Sequence, residues 1–161
     1  MTYGEERVAA IRLALREAEL DALVCTLPEN VLLLSGYWPV VGTSVALATA
    51  EGRVSILAPA DERDLAMDGW ATTVRDYTPG SLTQLIEPAK AAQGPLAALL
   101  DLAGIRTAKI GHESGSAYEP STYAAMHLFG DAIAGLLRAA GPDATLTPAP
   151  HILARLRSIL M

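Results

Sequence analysis

The chain alternates short apolar runs with amphipathic stretches, and this alternation predicts an α/β domain. Over residues 5–19, Val8, Ile11, Leu15 and Ala18 recur at helical spacing, while Glu5, Arg12, Arg16 and Glu19 lie toward the other side. "DALVCT" (21–26) is a short apolar run suited to a buried strand. Pro28 opens a short helix, "PENVLLLS", where a first turn tolerates proline, and Gly36 ends it. "SVALAT" (44–49) and "RVSILA" (53–58) flank Ala50-Glu51-Gly52, a hairpin loop. Asp61 is the expected N-cap of a helix through Asp68, closed by Gly69, and "TTVRDY" (72–77) gives another strand. The Ser81–Gly104 region is expected to be helical but interrupted. Pro88 lies too far in for a first turn, and Gly94-Pro95 marks an exit followed by a fresh start. "AKIG" (108–111) is a short strand, Pro120 begins a helix to Phe129, and Asp131 caps a second one. Gly141-Pro142 turns into "ATLT" (144–147), and "HILARLRSIL" forms a last helix after Pro150. Helices alternating with single strands or a hairpin imply an α/β sandwich around one mixed sheet.

The segment from Asn30 to Ala50 carries no charged side chain. A membrane-spanning helix needs roughly 20 consecutive apolar residues, so the length is suitable. Ser35-Gly36, Pro39 and Gly42-Thr43-Ser44 nevertheless cut the run into short pieces with turn signals. The segment therefore divides into core elements and a loop bearing Tyr37 and Trp38. Composition agrees with a globular domain: 51% of the 161 residues are apolar and only 5% aromatic, leaving Ala, Leu and Val to do most of the packing. A net charge of −6 argues against nucleic acid as a partner, since phosphates call for a basic stripe. The scattered Lys and Arg form no run that would hold an anionic membrane surface. A single cysteine rules out an internal disulfide, and Glu5-Glu6 stand where a signal peptide would carry cations. The expectation is a cytoplasmic protein.

No glycine-rich phosphate loop follows any strand. His112, His127 and His151 form no ligand-dense arrangement. His112 and Glu113 in "GHES" are adjacent on a strand end and point to opposite faces, so they make a poor chelating pair; a surface or loop-satisfied histidine is the plainer reading. Cys25 becomes a nucleophile only if His112 and an acid converge on it, and its apolar setting "LVCTL" favours an inert buried thiol. No serine stands in a nucleophile elbow. The acidic pairs Glu5-Glu6 and Asp61-Glu62 sit at expected helix starts, where carboxylates favour the positive end of the dipole.

Five segments, in order, carry a resemblance to a known family. "ERVAAIRLALRE", "ELDALVCTLPENVLLLSGYWPV" (19–40), "VSILAPADERDLA", "AKIGHES" and "ILARLRSI" together resemble the N-terminal domain of the creatinase/prolidase/aminopeptidase P family. Leu33 departs from the aromatic the family often has there, and Leu160-Met161 from the Lys that follows its Leu-Arg-x-Ile. The resemblance implies a three-layer α/β sandwich with a mixed sheet of about six strands and a ribonuclease H-like motif. It further implies that residues 1–149 form the N-terminal domain and 150–161 begin the linker helix to a catalytic "pita-bread" domain beyond this sequence. That C-terminal domain would supply two Asp, one His and two Glu, holding two divalent metal ions (Mn, Co or Zn) in an Xaa-Pro peptidase; no cofactor is expected in residues 1–161. The domain would be non-catalytic, would help form a homodimer, and would place Tyr37 and Trp38 on the rim of the active site. Two alternatives are the N-domain of a creatinase-like amidinohydrolase and a stand-alone hydrolase using Cys25 with His112.

Overall fold

The computed structural model describes residues 2–114 and 132–160. Their elements run α1 (Tyr3–Glu17), β1 (Ala22–Cys25), α2 (Pro28–Ser35), β2 (Val45–Thr49), β3 (Val54–Pro59), a 3-10 turn (Ala60–Glu62), α3 (Arg63–Met67), β4 (Thr73–Tyr77), α4 (Pro88–Ala103), β5 (Lys109–His112), α5 (Ala132–Ala140), β6 (Thr145–Pro148) and α6 (Pro150–Leu160). The six strands form one sheet in the order β4-β3-β2-β1-β5-β6. β2 is antiparallel to β1 and β3, and the remaining pairings are parallel, so β2 alone among the six runs against the rest. This is the mixed α/β sandwich that the hydropathy pattern predicts. Strands covered on both faces need no polar alternation, and β1, β2 and β3 are buried at every position.

Alternate side chains of these strands serve two cores. Leu23, Cys25, Ala46, Ala48, Val54 and Ile56 pack with α1, α2 and α6. Ala22, Val24, Val45, Leu47, Leu57 and Ile110 pack with α4 and α5 on the other face. Helix α1 begins in a full capping box: Thr2 accepts from the Glu5 amide while the Glu5 carboxylate accepts from the Thr2 amide. Gly36 closes α2 in the left-handed conformation, at φ 79°.

Two helices differ from expectation. Pro88 is not an interior residue but the first residue of α4; residues 81–87 form a turn in which the Ser81 and Gln84 backbones bond reciprocally. Leu82 and Leu85 in this stretch are both exposed. Helix α4 also continues through Gly94-Pro95. An interior proline loses a hydrogen bond and strains the residue before it, but Gly94 has no Cβ to meet the proline ring. Burial of Ala92, Leu96, Leu99 and Leu100 along one face then keeps the helix whole. The second difference is at Asp61, which caps nothing: a 3-10 turn precedes a short α3, and no side chain caps either. The predicted helix over 120–129 and the Asp131 cap lie outside the described residues. Among those described, no helix is long and apolar enough to cross a membrane.

Candidate contact site at the C-terminal end of the sheet

Because β2 is the single reversed strand, the C-terminal ends of β1, β3, β4 and β5 share one end of the sheet with the start of β2. The loops 26–27, 36–44 and 78–87 all emerge there. Tyr77 Oη donates to the Thr43 carbonyl at 2.7 Å, tying the end of β4 to the loop that enters β2. A cleft of about 230 Å³ opens beside it, lined by Thr26, Thr43, Glu87, Pro88, Ala89, Ile133 and Leu136.

Glu113 and Glu62, both buried, shape this end through their hydrogen bonds. Glu113, just past β5, accepts from the Thr26 amide (2.6 Å), the Thr26 hydroxyl (2.6 Å), the Leu27 amide (3.0 Å) and the Asn30 side-chain amide (2.8 Å). The residue at the N-cap of α2 is Leu27, which has no side-chain acceptor. Glu113 supplies that cap from another strand, placing its charge at the positive end of α2. Burial pushes the Glu113 carboxyl above its ordinary range, and the bonds from Asn30, Thr26 and Leu27 pull the other way without overcoming it. Asn30 in turn accepts from the Arg157 guanidinium, which joins α6 to the same cluster.

The second carboxylate, Glu62, holds loop 36–44. It accepts from the Tyr37 hydroxyl and from the Val40 and Val41 amides. Tyr37 is buried, its hydroxyl also within 3.3 Å of Ser44 Oγ, and burial followed by the Glu62 bond raises its pKa well above the usual phenol range. Of the two aromatic residues picked out in the sequence, Tyr37 therefore points into the domain and anchors the loop. Trp38 faces solvent at 48% exposure, with Val40 and Val41 beside it in sequence and also exposed. The base of the loop is tight: Trp70 Nε1 donates to the Leu34 carbonyl at 2.8 Å, and its ring packs against Gly36.

Cys25 and His112 do not meet. His112 pairs with Val24 across the β1–β5 ladder, and paired residues share a face. Val24 belongs to the core under α4 and α5, whereas Cys25 belongs to the opposite core. His112 is itself buried rather than at the surface. The Cys25 thiol is fully buried beside Glu113, and burial first, then that carboxylate, drives its pKa well above the ordinary thiol value. A thiol so placed is neither ionised nor accessible. His151 is exposed on α6, and His127 lies outside the described residues.

Among the described residues, no group of three or more His, Cys, Asp or Glu comes together in a way that could hold an ion. Glu113 and Glu62 accept from amides and hydroxyls. What the sequence offered for Glu113 was an acid directly after an apolar strand together with a helix start lacking its own cap; the two features meet only once the chain is folded.

The profile of the Creatinase/Prolidase N-terminal domain family matches residues 7–159. The chain belongs to that family. Solved structures similar to this creatinase/prolidase N-terminal domain include a proline dipeptidase from Streptococcus pneumoniae TIGR4. There the TM-score is 0.65 at 18% identity, covering 94% of this chain and 97% of that one. An N-terminal creatinase/prolidase-like domain of a putative metallopeptidase from Corynebacterium diphtheriae gives a TM-score of 0.56 at 16% identity, over 92% and 97% of the two chains. A prolidase from Pyrococcus horikoshii OT3 gives 0.60 at 16% identity, over 94% of this chain but only 35% of its own. The domain thus spans about a third of that prolidase, and at these identities the likeness shows the fold alone. No curated protein sequence matches the chain.

Proposed function

We propose that this creatinase/prolidase N-terminal domain is the non-catalytic unit of a metal-dependent Xaa-Pro dipeptidase or aminopeptidase, contributing to a homodimer and to the rim of the active site. One observation carries the reading: Trp38 stands exposed on a loop whose base is clamped by Glu62, Tyr37 and Trp70. An exposed indole on a rigid mount offers a large contact area at little entropic cost, which suits a surface that meets substrate or a neighbouring subunit. The family membership and the peptidases among the solved structures of this fold support the reaction class.

The test is hydrolysis of an Xaa-Pro dipeptide by the purified 161-residue chain in the presence of Mn(II). No turnover above buffer is expected. Turnover that co-elutes with the chain through successive columns would overturn the non-catalytic assignment.

A further inference from the structure

At the other end of α2 from Glu113, a cavity of about 350 Å³ is lined by Tyr3, Arg7, Leu32, Leu33, Gly36 and Trp70. Helix α1 supplies Tyr3 and Arg7, α2 supplies the two leucines, and Trp70 comes from the turn between α3 and β4. Tyr3 and Arg7 stand four residues apart, so they share one face of α1. Arg7 is charged yet only 6% exposed. Its guanidinium carbon lies 4.2 Å from the Tyr3 ring centroid and 5.7 Å from that of Trp70. The two rings meet edge to face at 5.9 Å. Trp70 is a fixed wall: its indole donates to the Leu34 carbonyl, and Gly4 and Gly36 close on it from either helix.

We infer that this cavity binds a small carboxylate with a flat apolar body, the carboxylate on Arg7 and the body against Trp70, Leu32 and Leu33. Its volume lies near the lower end of the roughly 300–1,000 Å³ typical of small-molecule sites, which are mostly apolar with a few placed polar groups. The charge selects an anion. Arg7 is the only cation or carboxylate among the described residues that line the cavity; Glu5 and Glu6, its neighbours on α1, are exposed and do not line it. Burial lowers the Arg7 pKa from its ordinary value, a sign of the cost of holding that cation away from water, and a bound anion offsets the cost. The donor geometry selects a carboxylate. Stacking on Tyr3 uses the face of the guanidinium, while its five N–H donors lie in the plane. They suffice for a forked carboxylate in addition to contacts within the chain. Elsewhere the net charge of −6 disfavours anions, so binding should concentrate here.

The probe is phenylacetate, with phenylacetamide as its neutral counterpart, titrated into the isotope-labelled chain and followed by the indole N–H signals in heteronuclear NMR. The chain has two tryptophans; Trp38 does not line the cavity and serves as the internal reference, its signal assigned with Trp38→Phe. Phenylacetate should move the Trp70 signal saturably, with Kd at or below about 1 mM, and leave the Trp38 signal in place. Phenylacetamide should bind at least about tenfold more weakly, because charge-assisted hydrogen bonds are roughly twice as strong as neutral ones. Arg7→Met keeps the apolar stem and should bring the acid down to the affinity of the amide, with Arg7→Lys in between. The comparison of acid with amide needs no substitution, so it stands even where Arg7→Met fails to fold. A Trp70 signal that does not saturate below about 10 mM phenylacetate, or acid and amide that bind the parent chain alike, overturns the site. A folded Arg7→Met chain that still prefers the acid overturns the role of Arg7.

Discussion

Replacing Glu113 by Ala tests the central structural argument, that a carboxylate from β5 caps α2. The substitution removes the acceptor for four donors: the Thr26 amide, the Thr26 hydroxyl, the Leu27 amide and the Asn30 side chain. Each buried donor left unsatisfied costs about 1–3 kcal/mol, but the donors are adjacent and water entering the vacated volume recovers part of that loss. The net expectation is about 3–5 kcal/mol, equivalent to about two such donors left unsatisfied. Set against a total stability of about 5–15 kcal/mol, this is a large fraction. Urea denaturation followed by far-ultraviolet circular dichroism, with linear extrapolation, measures it directly. The midpoint should fall while the slope stays close to that of the parent, because the surface exposed on unfolding scarcely changes. Glu113→Gln keeps one carbonyl oxygen but turns an amino group toward donors, so it should fall between the two. If Glu113→Ala lies within about 1 kcal/mol of the parent, the cap contributes little and the argument fails.

Four further outcomes follow from the same structure. The Glu113 pKa is raised on folding above its ordinary 4.5, so the native state holds the proton more tightly than the unfolded chain. Its contribution to stability is therefore fully present below pH 4.5 and declines as pH rises toward the folded value; Glu113→Gln should remove that part of the pH dependence, and an unaltered difference profile would contradict the shift. Cys25, buried with its pKa raised, should react with iodoacetamide at pH 7.5 at least about 100-fold more slowly in the native chain than in denaturant. Comparable rates would show the thiol to be accessible. Gly135, exposed within α5 with open space at its Cβ position, should accept Ala with a gain of about 0.5–1 kcal/mol. A Cβ on Gly69 would stand 2.3 Å from the Ser35 carbonyl oxygen, so Gly69→Ala should cost about 1–3 kcal/mol or more; thermal melts of the pair separate the two cases.

Much of the architecture is legible in the sequence because each element carries its own punctuation. "PENVLLLS" has proline at its first turn and glycine at its end, and Ala50-Glu51-Gly52 sits between two strand-like runs; both are observed as read. Local signals mislead where tertiary contacts decide. The stretch from Ser81 is expected to be helical with Pro88 inside it, but Leu82 and Leu85 are left exposed and α4 starts only at Pro88. Gly94-Pro95 suggests a break, but the apolar stripe from Ala92 to Ala103 holds α4 together. At the candidate site, Trp38 is legible as an exposed aromatic beside a proline. Tyr37 is not, because its fate depends on Glu62, 25 positions away. Glu113 is the clearest case of a non-local role: it follows a strand that pairs with β1, and only that pairing brings it to the bare start of α2.

The close contacts beneath loop 36–44 bear on how fast anything can bind there. The Trp70 ring fills the space a side chain at Gly36 would need, and Gly69 presses on the Ser35 carbonyl, so the base of the loop cannot swing without disturbing α2. Docking at Trp38 then involves no closing flap. Association should proceed in a single kinetic phase whose observed rate rises linearly with partner concentration, without the plateau that a preceding isomerisation imposes.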